Sequence, residues 1–281
     1  MNKSTKKIYF HVGLAKTGST FLQKNFFPYL KNIKYINTHK YRNCIKIIKK
    51  TNYKSYLISR EFDRQLENEI KKITSYFPNV RIIIIFRRHD HWITSQYKRY
   101  VKNGWYWKFQ DFYNDKDSGY WKNEDMIYLN KVNIIKKYTT KTPLVMCFEK
   151  LKKNPFSYLD KISKFLSCNY SKSKISLNIV HKSYSDKQLI FLQNFCRIFK
   201  ISPPEYYPYQ EIDILKINSN NKLKHWLFFK PWWFLYHLVM YFAILIPKSF
   251  IVKGPLIKND YLESIRKKYK NDWDYIKNLK F

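Results

Sequence analysis

Acidic residues and closely spaced cysteines are both scarce in this chain of 281 residues. Aspartate and glutamate number 20 against 54 lysines and arginines, which gives a formal net charge of +34. The four cysteines are widely separated and show no C-x-x-C spacing. We therefore expect reduced thiols in a cytosolic protein, without a zinc site or a disulfide framework. The positive charge fits either a solvated lysine-rich surface or a polyanionic partner, such as a nucleotide, an acidic glycan or a membrane surface.

The sequence also has no cluster of histidines and no apolar run long enough for a membrane span. No H-E-x-x-H or similar ligand set occurs, so we expect no metal site. The first strand begins at about Ile8, and we therefore expect no signal peptide or N-terminal membrane anchor. The longest apolar run, residues 232–246, would be about 22 Å long as a helix, shorter than the ~30 Å hydrocarbon core. It also contains His237, so a spanning helix is not predicted.

The aromatic segment 222–248 has two interpretations. Tryptophans beside lysines suit a helix lying in the headgroup region of a membrane, whereas a buried helical hairpin explains the same composition without lipid. The segment 261–279 that follows is predicted as one basic amphipathic helix, with Leu262, Ile265, Tyr269 and Trp273 facing inward.

Short apolar runs alternate with helix-sized segments along most of the chain. The runs that predict strands end at His11, Ile36, Ser59, Phe86 and Leu151. Four consecutive isoleucines before Phe86 suit a strand buried on both faces of a parallel sheet. We predict an α/β fold with a doubly covered parallel sheet, in a single domain over 1–281. Its nucleotide-binding core spans about 6–200, and a helical, aromatic-rich part follows over about 201–281.

A strand, a polar loop and a helix follow one another from residue 8, and the helix is predicted over residues 21–31. This arrangement builds an anion site, because the free N–H groups of the first helical turn and the helix dipole favour negative charge. The loop offers a mobile cation, hydroxyls and one glycine that lets the backbone approach a ligand: Lys16, Thr17, Gly18, Ser19 and Thr20. The loop is P-loop-like in position, but the lysine precedes the glycine, so the Walker A template G-x-x-x-x-G-K-[ST] fails.

The order Lys-Thr-Gly-Ser-Thr resembles the 5′-phosphosulfate loop of the sulfotransferase family, P-K-[ST]-G-[ST]-[ST], with Ala15 in place of the proline. The family's 3′-phosphate motif has an arginine that closes a strand and a serine eight residues later. Arg87 and Ser95 match that spacing. A guanidinium can bind two phosphate oxygens at once, and a hydroxyl completes the contact.

Two weaker matches extend the resemblance over about residues 8–200. The end of the predicted strand 143–151 resembles the family's Y-E-D-L element, with Phe148 for its tyrosine and Lys150 for its aspartate. The residues Val-His-Lys-Ser lie roughly where the family closes a loop over the nucleotide, which makes Lys182 and Ser183 candidates.

The resemblance implies 3′-phosphoadenosine 5′-phosphosulfate (PAPS) as co-substrate and no metal. Lys16 and the loop N–H groups would stabilise charge on the leaving phosphate oxygen during in-line displacement. A base must take the proton of the acceptor hydroxyl. Glu61 follows a strand at the position where some carbohydrate-modifying members carry a glutamate, and His39 is the alternative.

The acceptor is suggested by the segment after Ser95. The pattern Y-x-x-x-V-K-x-G and the residues Trp105, Tyr106 and Trp107 resemble bacterial sulfotransferases encoded with surface-polysaccharide genes. Aromatic faces with neighbouring cations suit sugar rings, although a lid packed on the core has the same composition.

The resemblance thus implies sulfation of a carbohydrate or glycolipid hydroxyl. We expect the protein in the cytoplasm with a peripheral contact to the anionic inner face of the membrane, and we expect no specific nucleic-acid partner. The alternatives are a P-loop-type nucleotide kinase and a non-enzymatic basic module that binds nucleic acid or membrane.

Overall fold

The computed structural model describes residues 6–178, 183–201 and 220–279. Its centre is a five-stranded sheet in the order β2-β3-β1-β4-β5, in which every pairing is parallel. The strands are β1 Lys7–His11, β2 Lys34–Ile36, β3 Ser55–Ser59, β4 Arg81–Phe86 and β5 Leu144–Cys147.

Helices connect the strands and make up most of the remaining described chain. They are α1 Ser19–Phe21, α2 Cys44–Lys50, α3 Leu66–Tyr76, α4 His89–Lys102, α5 Phe109–Phe112, α6 Asn123–Met126, α7 Tyr128–Tyr138, α8 Phe148–Lys153, α9 Pro155–Leu166, α10 Asp186–Ile198, α11 Asn220–Leu245, α12 Lys248–Ile251, α13 Asn259–Lys268 and α14 Lys270–Asn278. The predicted α/β fold with a parallel sheet is confirmed.

The strand order places three polar loops at one edge of the sheet. Strand β1 lies between β3 and β4, with His11 opposite Ser59 of β3 and Ile83 of β4. The chain leaves β1 towards β2 on one side and leaves β4 towards β5 on the other. Ligands in open parallel sheets bind where adjacent strands lead in opposite directions, beyond their carboxyl ends. This edge therefore contains the loops that follow β1, β3 and β4.

The described chain divides into two compact units. The first contains residues 6–88, 127–178 and 269–279, and therefore the whole sheet. Residues 82–86 of β4 are fully buried, as expected for a strand covered on both faces. Helix α14 packs against α7 and β5, which places the C-terminal helix beside the sheet within this unit.

The second unit contains residues 89–126, 183–201 and 220–268. Helix α10 packs against α4 and α11. Asp90, in the first turn of α4, is buried, and its Oδ2 accepts hydrogen bonds from Nε and Nη2 of Arg266 on α13, at 3.1 and 3.0 Å. This pair of charge-assisted bonds joins the two helices. The predicted single domain with a core over about 6–200 stays a prediction.

Three predicted elements differ from the structure. The segment 21–31 is not one α-helix: α1 passes into a π-helical turn, Leu22–Phe26, and a 3₁₀ turn, Phe27–Tyr29, because Pro28 cannot continue the helix. The predicted strand 143–151 ends at Cys147, and Phe148 begins α8, so its last four residues are helical. The C-terminal amphipathic segment is two helices that meet at Tyr269, although the predicted inward residues Ile265, Tyr269 and Trp273 are buried.

Helix α11 runs through most of the aromatic segment as one helix with Pro231 in its interior. The helical hairpin that was one interpretation of this segment is therefore not formed between residues 220 and 245. Within the part of the chain that the structure describes, no helix combines the length and the apolar character needed to cross a membrane.

Candidate active site

The loop after β1 is held by hydrogen bonds at both of its ends. The N–H of Val12 donates to the Ile83 carbonyl at 2.9 Å, which keeps the start of the loop on β4. The hydroxyl of Thr17 donates to the Leu14 carbonyl at 2.6 Å and closes the loop on itself. Thr17 is fully buried, so its hydroxyl stabilises the loop conformation.

Two positive φ angles, at residues two positions apart, shape the tip of the loop. Lys16 has φ 69° and Gly18 has φ 87°. Gly18 precedes α1 and needs its missing side chain for a second reason, since a Cβ there would lie 2.7 Å from the Phe148 ring. The Lys16 side chain is exposed, so its ammonium group is accessible from solvent. The sequence motif predicted that this loop needs a glycine, but it did not predict that an aromatic ring packs against it.

The chain after β3 runs alongside this loop. The N–H of Arg60 donates to the His11 carbonyl at 3.0 Å, and the N–H of Phe62 donates to the Gly13 carbonyl at 3.2 Å. The Asp63 carboxylate accepts from the Ala15 N–H at 3.1 Å. Residues 60–63 and 11–15 are therefore joined along their length.

Arg87 lies at the carboxyl end of β4, as predicted, and contacts the loop. Its Nη1 donates to the Lys16 carbonyl at 3.2 Å, and its guanidinium carbon lies 5.2 Å from the centre of the Phe148 ring. The Arg87 carbonyl accepts from the Tyr128 hydroxyl at 2.6 Å. Phe148 thus contacts both Gly18 and Arg87, and β1, β4 and α8 meet at this ring.

A buried polar network lies beneath the loop. The Nδ1 atom of His11 lies 2.9 Å from the Ser59 hydroxyl, and the Gln23 side chain donates to the same hydroxyl at 3.0 Å. Burial lowers the pKa of His11 to about 3, because the imidazolium would lose its hydration. The imidazole is therefore neutral at physiological pH.

Ser19 is the loop residue whose polar atom has no protein partner in the described chain. It is 1% exposed, and its hydroxyl makes no hydrogen bond. Buried hydroxyls are normally paired, because an unpaired one loses its hydration without compensation. The hydroxyl lies at the start of the helical segment, where N–H groups also lack partners. A bound anion would satisfy both.

The two candidate bases occupy different positions relative to this loop. Glu61 lies between Arg60 and Phe62, whose N–H groups bind the loop, and its side chain is half-buried. His39 lies on an exposed 3₁₀ turn after β2, Thr38–Asn43. Since β2 is separated from β1 by β3, His39 belongs to the loop one strand farther away.

The remaining nucleotide candidates lie elsewhere in the chain. Thr20 is half-buried within α1. Ser95 is half-buried on α4, in the second unit, so its pairing with Arg87 stays a prediction. Ser183 is exposed and Lys182 lies outside the described residues.

The aromatic segment after α4 has its backbone fixed within the second unit. The Trp107 carbonyl accepts from the Tyr97 hydroxyl and the Gln193 side chain, each at 2.8 Å. Trp105 packs on Tyr100, Tyr120 and Phe112, as a core residue does.

The two rings that follow are stacked on each other. Tyr106 and Trp107 have ring centres 4.3 Å apart, and Trp107 also lies 4.6 Å from the Trp105 ring. Of the three predicted sugar-contact residues, Trp107 is 37% exposed, whereas Trp105 and Tyr106 are half-buried.

Sequence reasoning missed several residues that hold the loop. Asp63 and Phe148 were not among the predicted site residues. His11 and Ser59 end adjacent strands, and their pairing needs the strand order. A polar residue at the end of each strand was the available signal. Within the described residues, no three histidines, cysteines or acids come together as metal ligands.

No protein-family model and no curated protein matches this chain. Solved structures similar to it include a sulfotransferase from Alicyclobacillus acidocaldarius and mouse sulfotransferase SULT7A1 complexed with PAP. The bacterial protein is 12% identical with a TM-score of 0.47, over 70% of this chain and 92% of that one. The mouse protein is 17% identical with a TM-score of 0.42, over 60% of this chain and 62% of that one. Both bear the name of the family that the loop motif resembles.

Proposed function

We propose that this protein is a PAPS-dependent sulfotransferase that sulfates a hydroxyl of a carbohydrate or glycolipid. The observation that carries the proposal is the loop after β1 with Arg87 bound to its backbone. Gly18 opens the helical segment, the buried Ser19 hydroxyl lacks a protein partner, and the Arg87 guanidinium lies at the Lys16 carbonyl. A loop, a hydroxyl and an arginine at one sheet edge are the donors that an anionic nucleotide needs.

PAPS, when bound, supplies the sulfo group for an in-line displacement by the acceptor oxygen. Lys16 would bind the 5′-phosphate, where negative charge develops as the sulfo group leaves. The Ser19 hydroxyl and the N–H groups at the start of the helix would bind the same phosphate. Arg87, with Ser95 as its proposed partner, would bind the 3′-phosphate, because a guanidinium can donate two parallel hydrogen bonds to it.

Glu61 is the proposed base. Its neighbours Arg60 and Phe62 bind the loop through their N–H groups, so Glu61 is held beside the proposed sulfo position. Replacing Glu61 by glutamine should lower turnover about 100-fold, since general-base catalysis commonly contributes that much. Affinity for adenosine 3′,5′-bisphosphate should stay unchanged. The measurement is bisphosphate release from PAPS with methyl glycosides as acceptors, beside a titration.

His39→Gln is the matched control for this variant. His39 belongs to the loop after the edge strand β2, so its loss should leave turnover near that of the parent protein. A large loss with His39→Gln and none with Glu61→Gln would move the base role to His39.

The carbohydrate acceptor is supported by the Tyr106–Trp107 pair. A stacked pair with one exposed indole offers a flat apolar surface, which suits the C–H face of a sugar ring. Sulfation would then occur in the cytoplasm, where PAPS is available as a soluble nucleotide.

The proposal is tested by calorimetric titration with adenosine 3′,5′-bisphosphate, the desulfated product, beside AMP and ATP. We expect binding selective for the 3′-phosphate. Arg87→Ala should weaken it about 10- to 100-fold, since a hydrogen bond to a charged group contributes about 1.5–3 kcal/mol. Arg81→Ala is the matched control. Arg81 begins the same strand and its guanidinium lies over the Phe165 ring, at 4.3 Å.

Each other result of the titration favours a different function. Binding of ATP in preference to the bisphosphate would support the nucleotide kinase. Similar binding of all polyanions, falling steeply with salt and indifferent to Arg87, would support the non-enzymatic basic module. Either result would overturn the sulfotransferase proposal.

A further inference from the structure

Helix α11 has two apolar faces with different surroundings. One face contains Tyr236, Val239, Met240 and Ala243, which are all buried, on the side of the helix that packs against α10. Side chains of α10 also bind the backbone of α11: Gln188 donates to the Met240 carbonyl at 3.2 Å. This side of α11 is therefore covered by other residues of the second unit.

The opposite side of α11 is apolar and largely exposed, and only the Phe242 ring reaches α10 among the ring contacts of the described residues, at 6.2 Å from the Phe191 ring. Phe234, Leu238, Tyr241, Phe242 and Leu245 recur at helical spacing, and Phe250 on α12 follows them. These six side chains are between 56% and 80% exposed. We name them the α11 apolar face. Large side chains cover 150–250 Å² each, so the face exposes on the order of 700 Å². Patches above about 300–600 Å² are uncommon on a monomer and mark interaction sites.

The chain segment that contains the α11 apolar face carries lysines and no acids. Residues 214–259 contain no aspartate or glutamate. Among the described residues of this segment, four exposed lysines flank the face: Lys230, Lys248, Lys253 and Lys258. The Lys230 ammonium lies 5.3 Å from the centre of the Trp233 ring. An apolar strip with tryptophan and lysine at its border is the composition of helices that lie at a lipid interface.

The charge distinguishes a membrane from a second copy of the chain. Two copies joined through this face would bring their flanking lysines together, and like charges would oppose the association. An anionic bilayer supplies the opposite charge and attracts lysines near its surface. The apolar side chains would enter the acyl boundary, while the opposite face keeps its contacts with α10.

We propose that the α11 apolar face binds the surface of an anionic lipid bilayer, with α11 lying parallel to the membrane plane. The inference goes beyond the sulfotransferase function, because it rests on this face alone and requires no nucleotide. It does give a reason for a glycolipid acceptor, since the second unit would then lie on the membrane that holds such a substrate.

The test is co-sedimentation of the full chain with vesicles of phosphatidylglycerol and phosphatidylcholine. We expect the chain to bind these anionic vesicles, and to bind vesicles of phosphatidylcholine alone at least tenfold more weakly. Phe234→Ser/Phe242→Ser/Leu245→Ser should weaken binding to the anionic vesicles at least tenfold, because three apolar side chains that would enter the bilayer are removed. These side chains are exposed, so the variant should keep its far-ultraviolet circular dichroism. Tyr53→Ser/Tyr76→Ser is the matched control, as both tyrosines are 48% exposed in the first unit.

A second variant separates charge from apolar insertion. Lys230→Ala/Lys248→Ala/Lys253→Ala/Lys258→Ala should weaken binding to anionic vesicles and reduce its dependence on salt. Equal vesicle binding by the triple serine variant and the parent would overturn the proposal, as would the absence of binding by the parent. A parent dimer that the serine substitutions turn into a monomer, without vesicle binding, would assign the face to a second copy. None of these results depends on bisphosphate binding, so this proposal and the sulfotransferase proposal fail separately.

Discussion

His11 combines full burial with a titratable ring, at the end of the central strand. Its Nδ1 pairs with Ser59, while its Nε2 has no hydrogen-bond partner among the described residues and lies against Gly13, where a Cβ would approach it to 2.8 Å. Burial lowers the pKa of His11 to about 3 from the ordinary value of 6.5. Between those values the unfolded chain binds more protons than the folded chain. The free energy of unfolding therefore falls as the pH falls from 6.5 towards 3.

Removing this imidazole should make folding less sensitive to acid. In His11→Asn an amide replaces the ring and can still bond to Ser59. The slope of unfolding free energy against pH should decrease by up to about 1.4 kcal/mol per pH unit between pH 6 and 4. Urea titrations at three pH values measure the slope. Ser59→Ala, which keeps the imidazole, should lower stability yet retain the parent slope, and an unchanged slope in His11→Asn would assign the acid sensitivity to other groups.

Gly18 shows what a single residue reveals before and after the fold is known. From the sequence, a glycine inside a polar loop predicts a close approach of the backbone to a ligand. The structure confirms that glycine is required there, with φ 87°, and adds a cause from outside the loop: the Phe148 ring occupies the space of a Cβ. That contact joins residues 130 positions apart, which no local pattern reports.

At the scale of elements, one helix is capped by the side chain of another. Ile127 precedes α7 and has no polar side chain for its first N–H groups. Asp272 of α14 supplies the missing acceptor. Its Oδ2 accepts from the Tyr128 N–H at 2.9 Å, and its Oδ1 accepts from the Leu129 N–H at 3.0 Å. A carboxylate at a helix N-terminus both satisfies these donors and interacts favourably with the dipole.

Asp272→Ala should lower the free energy of unfolding by about 1–3 kcal/mol, because two N–H groups lose a charged acceptor. Urea denaturation of the whole chain measures it. Asp274→Ala is the control on the same helix. Asp274 pairs with Lys270 and Lys277 at the surface, where ion pairs contribute little, so its loss should leave stability nearly unchanged. Equal effects of the two substitutions would contradict the capping role.

Element boundaries show where periodicity stops being informative. The apolar repeat of the C-terminal segment predicts its buried residues, and Ile265, Tyr269 and Trp273 are indeed buried. It does not reveal the break at Tyr269, because apolar spacing continues across it. The segment 21–31 likewise keeps helical character while its hydrogen-bond pattern changes from α to π to 3₁₀.

For the whole molecule, the charge of +34 affects every binding measurement. A general attraction of polyanions falls steeply with salt, whereas a site that pairs specific donors with a 3′-phosphate keeps its selectivity. Titrations and vesicle experiments at about 0.15 M salt therefore separate the two, since the screening length there is about 8 Å.

The sequence by itself determined the strands, the parallel α/β class and the loop with its lysine, glycine and hydroxyls, because these follow from local periodicity and from the backbone freedom of glycine. Tertiary structure decided which of these groups meet. The Lys16 carbonyl and Arg87 are 71 residues apart, and strand order alone brings them within a hydrogen bond. It also decided which side of α11 is covered by α10 and which stays exposed. Burial depends on partners that are distant in the chain, and the apolar pattern of α11 is similar on its two sides, so the sequence alone does not show which side is covered.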